Sequence, residues 1–296
     1  MPEKQYPLNQ SPFYKLKTRK KLARILHIDV NTLRFLANKS DDLYNEFDIE
    51  RKTGKMRRIE NPQKDLKDIQ KYISRKLSCI NPPDYLFCPV KGRCYISNAA
   101  KHRFNRTIHC LDIRKYFPST TFERVLWFFR HIMKCSEDVS WHLSRIATFK
   151  GYLPTGSPLS PIMSYFAHYD VWEEISAICK KNDYCLTVYI DDVTISGNNI
   201  SPEVIWSIKR IIHRSGLRYH KEKKYIDRPA EITGAVIKNG KLMLPHRQHY
   251  KTHKARSDLF KATNEQDKRK QSDKLTGLKS QFIQIENFCE NWLLRN

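Results

Sequence analysis

Two acidic residues stand side by side at Asp191 and Asp192, with Leu186, Val188 and Ile190 before them and Val193 and Ile195 after. Apolar residues at period two predict strands, so the pair belongs at the turn of a β-hairpin. A third carboxylate, Asp112 in Leu111-Asp112-Ile113, closes another predicted strand 79 residues earlier (191 − 112). Carboxylates converging from separate strands suit magnesium, which takes oxygen ligands and keeps several waters. Two such ions about 4 Å apart can activate a 3′-hydroxyl and stabilise a leaving pyrophosphate, the chemistry of phosphodiester synthesis. An Asp-Asp turn is equally at home on a solvated surface, so the pair alone leaves both readings open.

The elements that must position these residues are legible as periodicities. Leu22, Ile25 and Leu26, then Leu33 and Leu36, predict two short helices with Asp29 or Asn31 as a cap. Such a pair either packs on a neighbour or forms a DNA-binding helix-turn-helix. Residues 44–59 predict a hairpin with a basic tip at Lys52-Thr53-Gly54-Lys55, and Leu66, Ile69, Ile73 and Leu77 one face of a helix. Val125, Leu126, Phe129, Ile132 and Met133 predict a further helix, and Ile162, Phe166, Tyr169 and Ile175 another. Residues 241–280 carry 11 Lys/Arg and 4 Asp/Glu, with His246, His249 and His253 among them, and predict a separate basic helical module. From Leu275 to Trp292 apolar periodicity returns, so the module is expected to fold and grip a partner.

The 296 residues carry 54 Lys/Arg against 31 Asp/Glu, a net charge of +23. A polyanion is the expected partner, because each neutralised phosphate releases condensed counterions. No apolar run approaches the roughly 20 residues of a membrane span, and the N-terminus lacks a signal-peptide stretch; a cytoplasmic protein that meets no membrane is expected. The eight cysteines form no zinc-site spacing and are expected to be reduced thiols.

Four segments, in order, resemble the reverse transcriptase family. Arg57-Arg58-Ile59-Glu60-Asn61-Pro62, with Leu66 and Gln70, is similar to its fingers segment, and Asp112-Ile113-Arg114-Lys115-Tyr116-Phe117-Pro118-Ser119 to its first catalytic motif. Leu153-Pro154-Thr155-Gly156-Ser157-Pro158-Leu159-Ser160-Pro161 resembles the loop beneath the incoming nucleotide. Tyr189-Ile190-Asp191-Asp192 resembles the Tyr-x-Asp-Asp box, with Gly216-Leu217 and Lys223-Lys224 as the next, weaker motif. The resemblance implies an α+β right-hand polymerase: fingers and palm of antiparallel sheet with packed helices, then a helical thumb. N-terminal helices are then expected over 1–40, fingers over 41–105 with an interleaved part near 121–160, palm over 106–238 and thumb over 239–296.

The same resemblance implies roles. Asp112 and Asp191 would bind two Mg2+ ions, completed by the Ile113 carbonyl, with Asp192 as a less direct carboxylate. Phe117 matches the steric gate that selects deoxynucleotides, a core Phe being the alternative. Arg57 would pair with the dNTP triphosphate through its guanidinium fork, as would the backbone amides of Lys115 and Tyr116. Thr155 and Gly156 would underlie the nucleotide. Lys223 would approach the pyrophosphate as general acid, with Lys221 and Lys224 close by. The family often has Gln where Thr155 stands; the shorter Thr is expected to alter nucleotide affinity or fidelity.

Asn98-Ala99-Ala100-Lys101-His102 resembles the Asn-Ala-x-x-His signature of bacterial retron reverse transcriptases, and Ile232-Thr233-Gly234 their Val-Thr-Gly signature. These residues are expected to bind RNA; capping a buried turn is the alternative for Asn98 and His102. With the sequence closing at Asn296 after a basic helical stretch, a retron protein is expected rather than a group II intron protein. The resemblance implies a structured non-coding RNA partner, copied from a guanosine 2′-hydroxyl into branched single-stranded DNA, and a role in phage defence with an effector protein. Rival readings are an abortive-infection or diversity-generating reverse transcriptase, or a catalytically idle RNA-binding scaffold.

Overall fold

The computed structural model describes residues 4–50, 54 and 56–293, with side chains up to residue 288. Lys52, Thr53 and Lys55 of the expected basic tip, and the side chains of Cys289 and Trp292, lie outside the described residues. The first two helices, α1 (Arg19–Leu26) and α2 (Val30–Asn38), begin at capping side chains. Asp29 Oδ1 accepts from the amides of Asn31 and Thr32 at 2.8 and 3.0 Å, satisfying donors that a helix start leaves unpaired. Leu22, Leu26, Leu33 and Leu36 are buried in the main core, so the pair packs on its neighbours.

Strands β1 (Tyr44–Glu50) and β2 (Met56–Pro62) form a two-stranded antiparallel ribbon, followed by α3 (Lys64–Ser78). The central sheet has the order β3-β5-β6-β4-β7, from β3 (Leu86–Cys88), β4 (Thr107–Ile113), β5 (Cys185–Tyr189), β6 (Asp192–Gly197) and β7 (Tyr219–Ile226). Every pairing is antiparallel except that β3 joins β5 in parallel at the edge. Side chains alternate across a strand, and the two faces divide cleanly. Leu111, Ile113, Leu186, Val188, Val193 and Ile195 enter the main core, each fully buried one stabilising the fold by about 1.5–3 kcal/mol. Asp112, Asp192, Thr194, Lys221 and Lys223 lie on the opposite face and line one cavity there.

The main core is closed by α5 (Tyr116–Ser119), α6 (Phe122–Trp127), α7 (Glu137–Ala147), α8 (Ser160–Ala167), α9 (Tyr169–Lys181) and α10 (Pro202–Arg214). A single helix expected through Ile162 and Ile175 is instead two, α8 and α9, broken at His168. His168 is fully buried, its Nε2 3.2 Å from Thr120 Oγ1, so a tertiary contact overrides the helical periodicity.

A second, smaller cluster joins α4 (Tyr95–Ala100) to a three-stranded sheet of β8 (Ala230–Ile232), β9 (Ala235–Lys238) and β10 (Lys241–Met243). The expectation of a helical module from Lys241 needs correction. Residues 241–243 are a strand paired with β9 through a turn in which Asn239 and Gly240 both have positive φ. Helices follow as α11 (His246–Lys261) and α12 (Glu265–Leu293), joined by an edge-on contact of the His249 and Phe282 rings at 4.9 Å. Among the described residues no helix is long and apolar enough to cross a membrane, and the described cysteines are free.

Candidate active site

The hairpin of β5 and β6 turns through Ile190 and Asp191, with Tyr189 opposite Asp192. Ile190 takes φ +55, a left-handed conformation in which a β-branched residue is strained. Strand β4 brings Asp112 directly opposite Asp192, and the Ile113 N–H donates to the Asp191 carbonyl at 2.8 Å. Three carboxylates from two places in the chain therefore meet where the central strands β4 and β6 pair. Lys221 Nζ lies 3.3 Å from Asp112 Oδ2 and His220 Nδ1 3.5 Å from Oδ1.

Burial pushes the Asp191 carboxyl above the ordinary carboxylate range, with the Asp112 charge adding to it. Burial and the charges of Asp191 and Asp112 raise Asp192 further, to about 6. Like charges held together out of water favour a cation between them, and an all-oxygen donor set suits a hard divalent ion. The residues thus fit such an ion, although no group of three acidic, His or Cys side chains among the described residues is drawn tightly enough to enclose one. Lys221 stands beside Asp112 as a counter-charge.

Beside the carboxylates opens a cavity of about 340 Å3, lined among others by Lys221, Lys223, Thr233, Gly234 and Arg247. A larger cavity of about 680 Å3 behind β3 holds none of the three carboxylates. Strand alternation puts Lys221 and Lys223 on the cavity side of β7 and Lys224 on the other, opposite His109. Spacing alone leaves Lys221 and Lys224 beside Lys223; the register pairs Lys223 with Cys110, Lys221 with Asp112 and Lys224 with His109.

Lys115 takes φ +49 and starts α5. Among the described residues no acceptor meets the main-chain N–H of Lys115 or Tyr116. The Tyr116 ring is buried and its hydroxyl donates to the Ser164 carbonyl at 2.9 Å, so only its backbone is free to face a ligand. Phe117 is half-buried, its ring 6.2 Å from that of Tyr116. Arg57 is exposed on β2 and no contact brings it to the carboxylates. Thr155 and Gly156 are turned to the ribbon. Thr155 Oγ1 donates to the Arg58 carbonyl at 3.1 Å and its N–H to Glu60 Oε2 at 2.9 Å, while a Cβ on Gly156 would stand 2.3 Å from the Glu60 carbonyl oxygen. Buried Glu60 is thus the anchor of this loop, a role that motif reading missed because it depends on a contact 95 residues away.

The expected RNA contacts are corrected in part. His102 is fully buried, hydrogen-bonded to Ser196 Oγ at 2.6 Å and Thr187 Oγ1 at 2.8 Å, and Ile232 is buried in the second cluster. The enclosed His102 side chain cannot touch RNA directly. Asn98 is also buried, and its Nδ2 donates to Thr233 Oγ1 at 3.2 Å. Of this group Ile232, Thr233 and Gly234 line the cavity, and Asn98 and His102 do not. With φ +47 and +95, Thr233 and Gly234 form the two-residue turn between β8 and β9, a backbone that favours Gly at its second position.

Comparison with known proteins accords with this arrangement. Residues 40–237 match the reverse transcriptase (RNA-dependent DNA polymerase) family. The chain is similar to the retron Se72 reverse transcriptase of Salmonella heidelberg, 29% identical over 236 residues that span 74% of this chain and 61% of that protein. It is 28% identical to the retron Ec86 reverse transcriptase of Escherichia coli over 254 residues, 79% of this chain and 75% of that one. It is 25% identical to the retron Mx162 reverse transcriptase of Myxococcus xanthus over 254 residues, 73% of this chain and 52% of that one. The α+β architecture, with its carboxylate-bearing sheet and C-terminal helices, is that of a right-hand polymerase, and the chain belongs to the reverse transcriptase (RNA-dependent DNA polymerase) family.

Proposed function

We propose that this chain is the RNA-directed DNA polymerase of a retron, extending a primer with dNTPs on a structured non-coding RNA and leaving branched RNA–DNA. The observation that carries the reading is the cross-strand pair Asp112–Asp192 with Asp191 on the adjoining turn, beside a basic cavity face. The names of its relatives supply the retron context. Asp112, Asp191 and Asp192, with the Ile113 carbonyl, would hold two Mg2+ ions, which when bound supply activation of the attacking hydroxyl and neutralisation of the leaving pyrophosphate. The free amides of Lys115 and Tyr116 orient phosphate oxygens, as amides at a left-handed turn do. Lys223, on the cavity face, donates a proton to the departing pyrophosphate, and Lys221 leaves Asp112 as phosphate charge arrives. Phe117 excludes a 2′-hydroxyl, and exposed Arg57 closes on the triphosphate.

On the same reading the ribbon with residues 121–160 acts as fingers, residues 106–238 as palm, and α11 with α12 as a thumb that clamps A-form RNA by shape and charge. The enzyme works in the cytoplasm and serves phage defence with an effector protein. The test is to purify the protein with its bound nucleic acid and treat the product separately with RNase, DNase and debranching enzyme. A short DNA whose mobility changes on debranching is expected. Asp191→Asn with Asp192→Asn should abolish that DNA and leave RNA binding intact; DNA at wild-type levels in the double variant overturns the reading.

A further inference from the structure

The Asn98–His102 segment lies across the polar face of the central sheet and holds two things apart. At one end His102 bridges Thr187 of β5 and Ser196 of β6, the two strands whose turn carries Asp191. Asn105 Nδ2 adds a bond to the same Ser196 hydroxyl at 2.7 Å. At the other end Asn98 donates to Thr233 Oγ1, and that hydroxyl donates to the Tyr95 carbonyl at 3.2 Å. Thr233 thus stands between two bonds from one short helix, and its turn is the cavity wall facing Asp112 and Asp192. Between the two ends, Ile96 and Ala99 of α4 are packed into the second cluster with Ala230, Ile232 and Ala235.

A segment tied at one end by the buried bonds of His102 and at the other by the half-buried bonds of Asn98 and Thr233 transmits position, because polar groups shielded from water destabilise the fold when left unpaired. We propose that Asn98, His102 and Thr233 are positioning residues: together they form a strut that sets the width of the cavity between the catalytic hairpin and the β8–β9 turn. The strut acts on the chain end held against the carboxylates, and touches neither nucleotide nor ions. This inference rests on the reading of the site as a polymerase.

Thr233→Val and Thr233→Ser isolate the hydroxyl. Val keeps the shape and the branched Cβ at φ +47 but removes the bonds to Asn98 and Tyr95, whereas Ser keeps them. On an RNA template with an annealed DNA primer, Thr233→Val should lower kcat about tenfold or more with KM for dNTP unchanged within about twofold. Thr233→Ser should recover most of the loss, and Asn98→Ala should match Thr233→Val. Equal loss in the Ser and Val variants, or full kcat in Val, overturns the strut. Backbone hydrogen exchange provides a second measurement that needs no activity: it should rise at residues 232–235 in Thr233→Val and stay at the wild-type rate in Thr233→Ser. If the wild-type protein extends no primer, the polymerase reading fails on that result, while unchanged exchange in Thr233→Val separately overturns the strut and raised exchange supports it.

Discussion

At the scale of residues, the acidic pair sits under electrostatic tension that its substitution would release. The Asp192 carboxyl is raised to about 6 from an ordinary value near 3.8. Its contribution to stability is therefore fully present below pH 3.8 and is lost as pH rises through 6. Asp192→Asn removes that loss, so in chelator the variant should match wild type near pH 4 and exceed it near pH 7 by about 1–3 kcal/mol; denaturant midpoints at the two pH values measure this. Phe117→Val, which opens the half-buried position beside Tyr116, should cut the preference for dNTP over rNTP about tenfold or more, read as a ratio of kcat/KM values. The period-two pattern places Asp191 and Asp192 at a hairpin turn and Asp112 at a strand end, and only the motif resemblance ties the three together. The contact of Lys221 with Asp112 and the bonds of Asn98 and His102 were not legible, because they depend on strand register and join residues 109, 135 and 94 positions apart. Local motif resemblance carries no such information.

Elements were legible where one local signal decided them and misread where packing decided. The Asp29 cap of α2, the buried faces of α1 and α2, the ribbon, α3 and the hairpin that carries Asp191 all follow from spacing. The break at His168 does not, since its cause is a buried contact with Thr120. Nor does β10, three residues long, whose pairing partner lies across the Asn239-Gly240 turn. The loop before α8 illustrates how one element locates another. Gln70 of α3, fully buried, accepts from Ser157 Oγ at 2.7 Å and donates to Tyr44 of β1 and the Ile146 carbonyl, and Glu60 of β2 takes the Thr155 N–H and the Tyr152 hydroxyl. Gly156 permits the close approach these bonds require. Gly156→Ala should push the loop from the ribbon, costing about 1–3 kcal/mol by overpacking and lowering DNA synthesis; urea unfolding with primer extension on the same preparation tests both.

At the scale of the whole molecule, the charge of +23 makes RNA affinity a function of salt, with a fall of at least about tenfold between about 50 and about 200 mM, measurable by filter binding. Acid acts through the interior instead. Burial lowers His102 and His168 to about 3 from an ordinary 6.5, so the stability they confer when neutral is complete above pH 6.5 and is lost as pH falls through that window. At pH 5 each should cost about 2 kcal/mol, and replacing either by Gln should flatten the dependence of the urea midpoint on pH. The two buried clusters share the strand β4, through Leu111 and Ile113 in one and Ile108 in the other, but no residue. A molecule with two interiors has two units able to melt. Calorimetry of the free protein should record a van't Hoff enthalpy below the calorimetric one, and a nucleic acid lying across both units should draw them into a single sharp transition, so that the template the chain copies would also be what makes it one cooperative body.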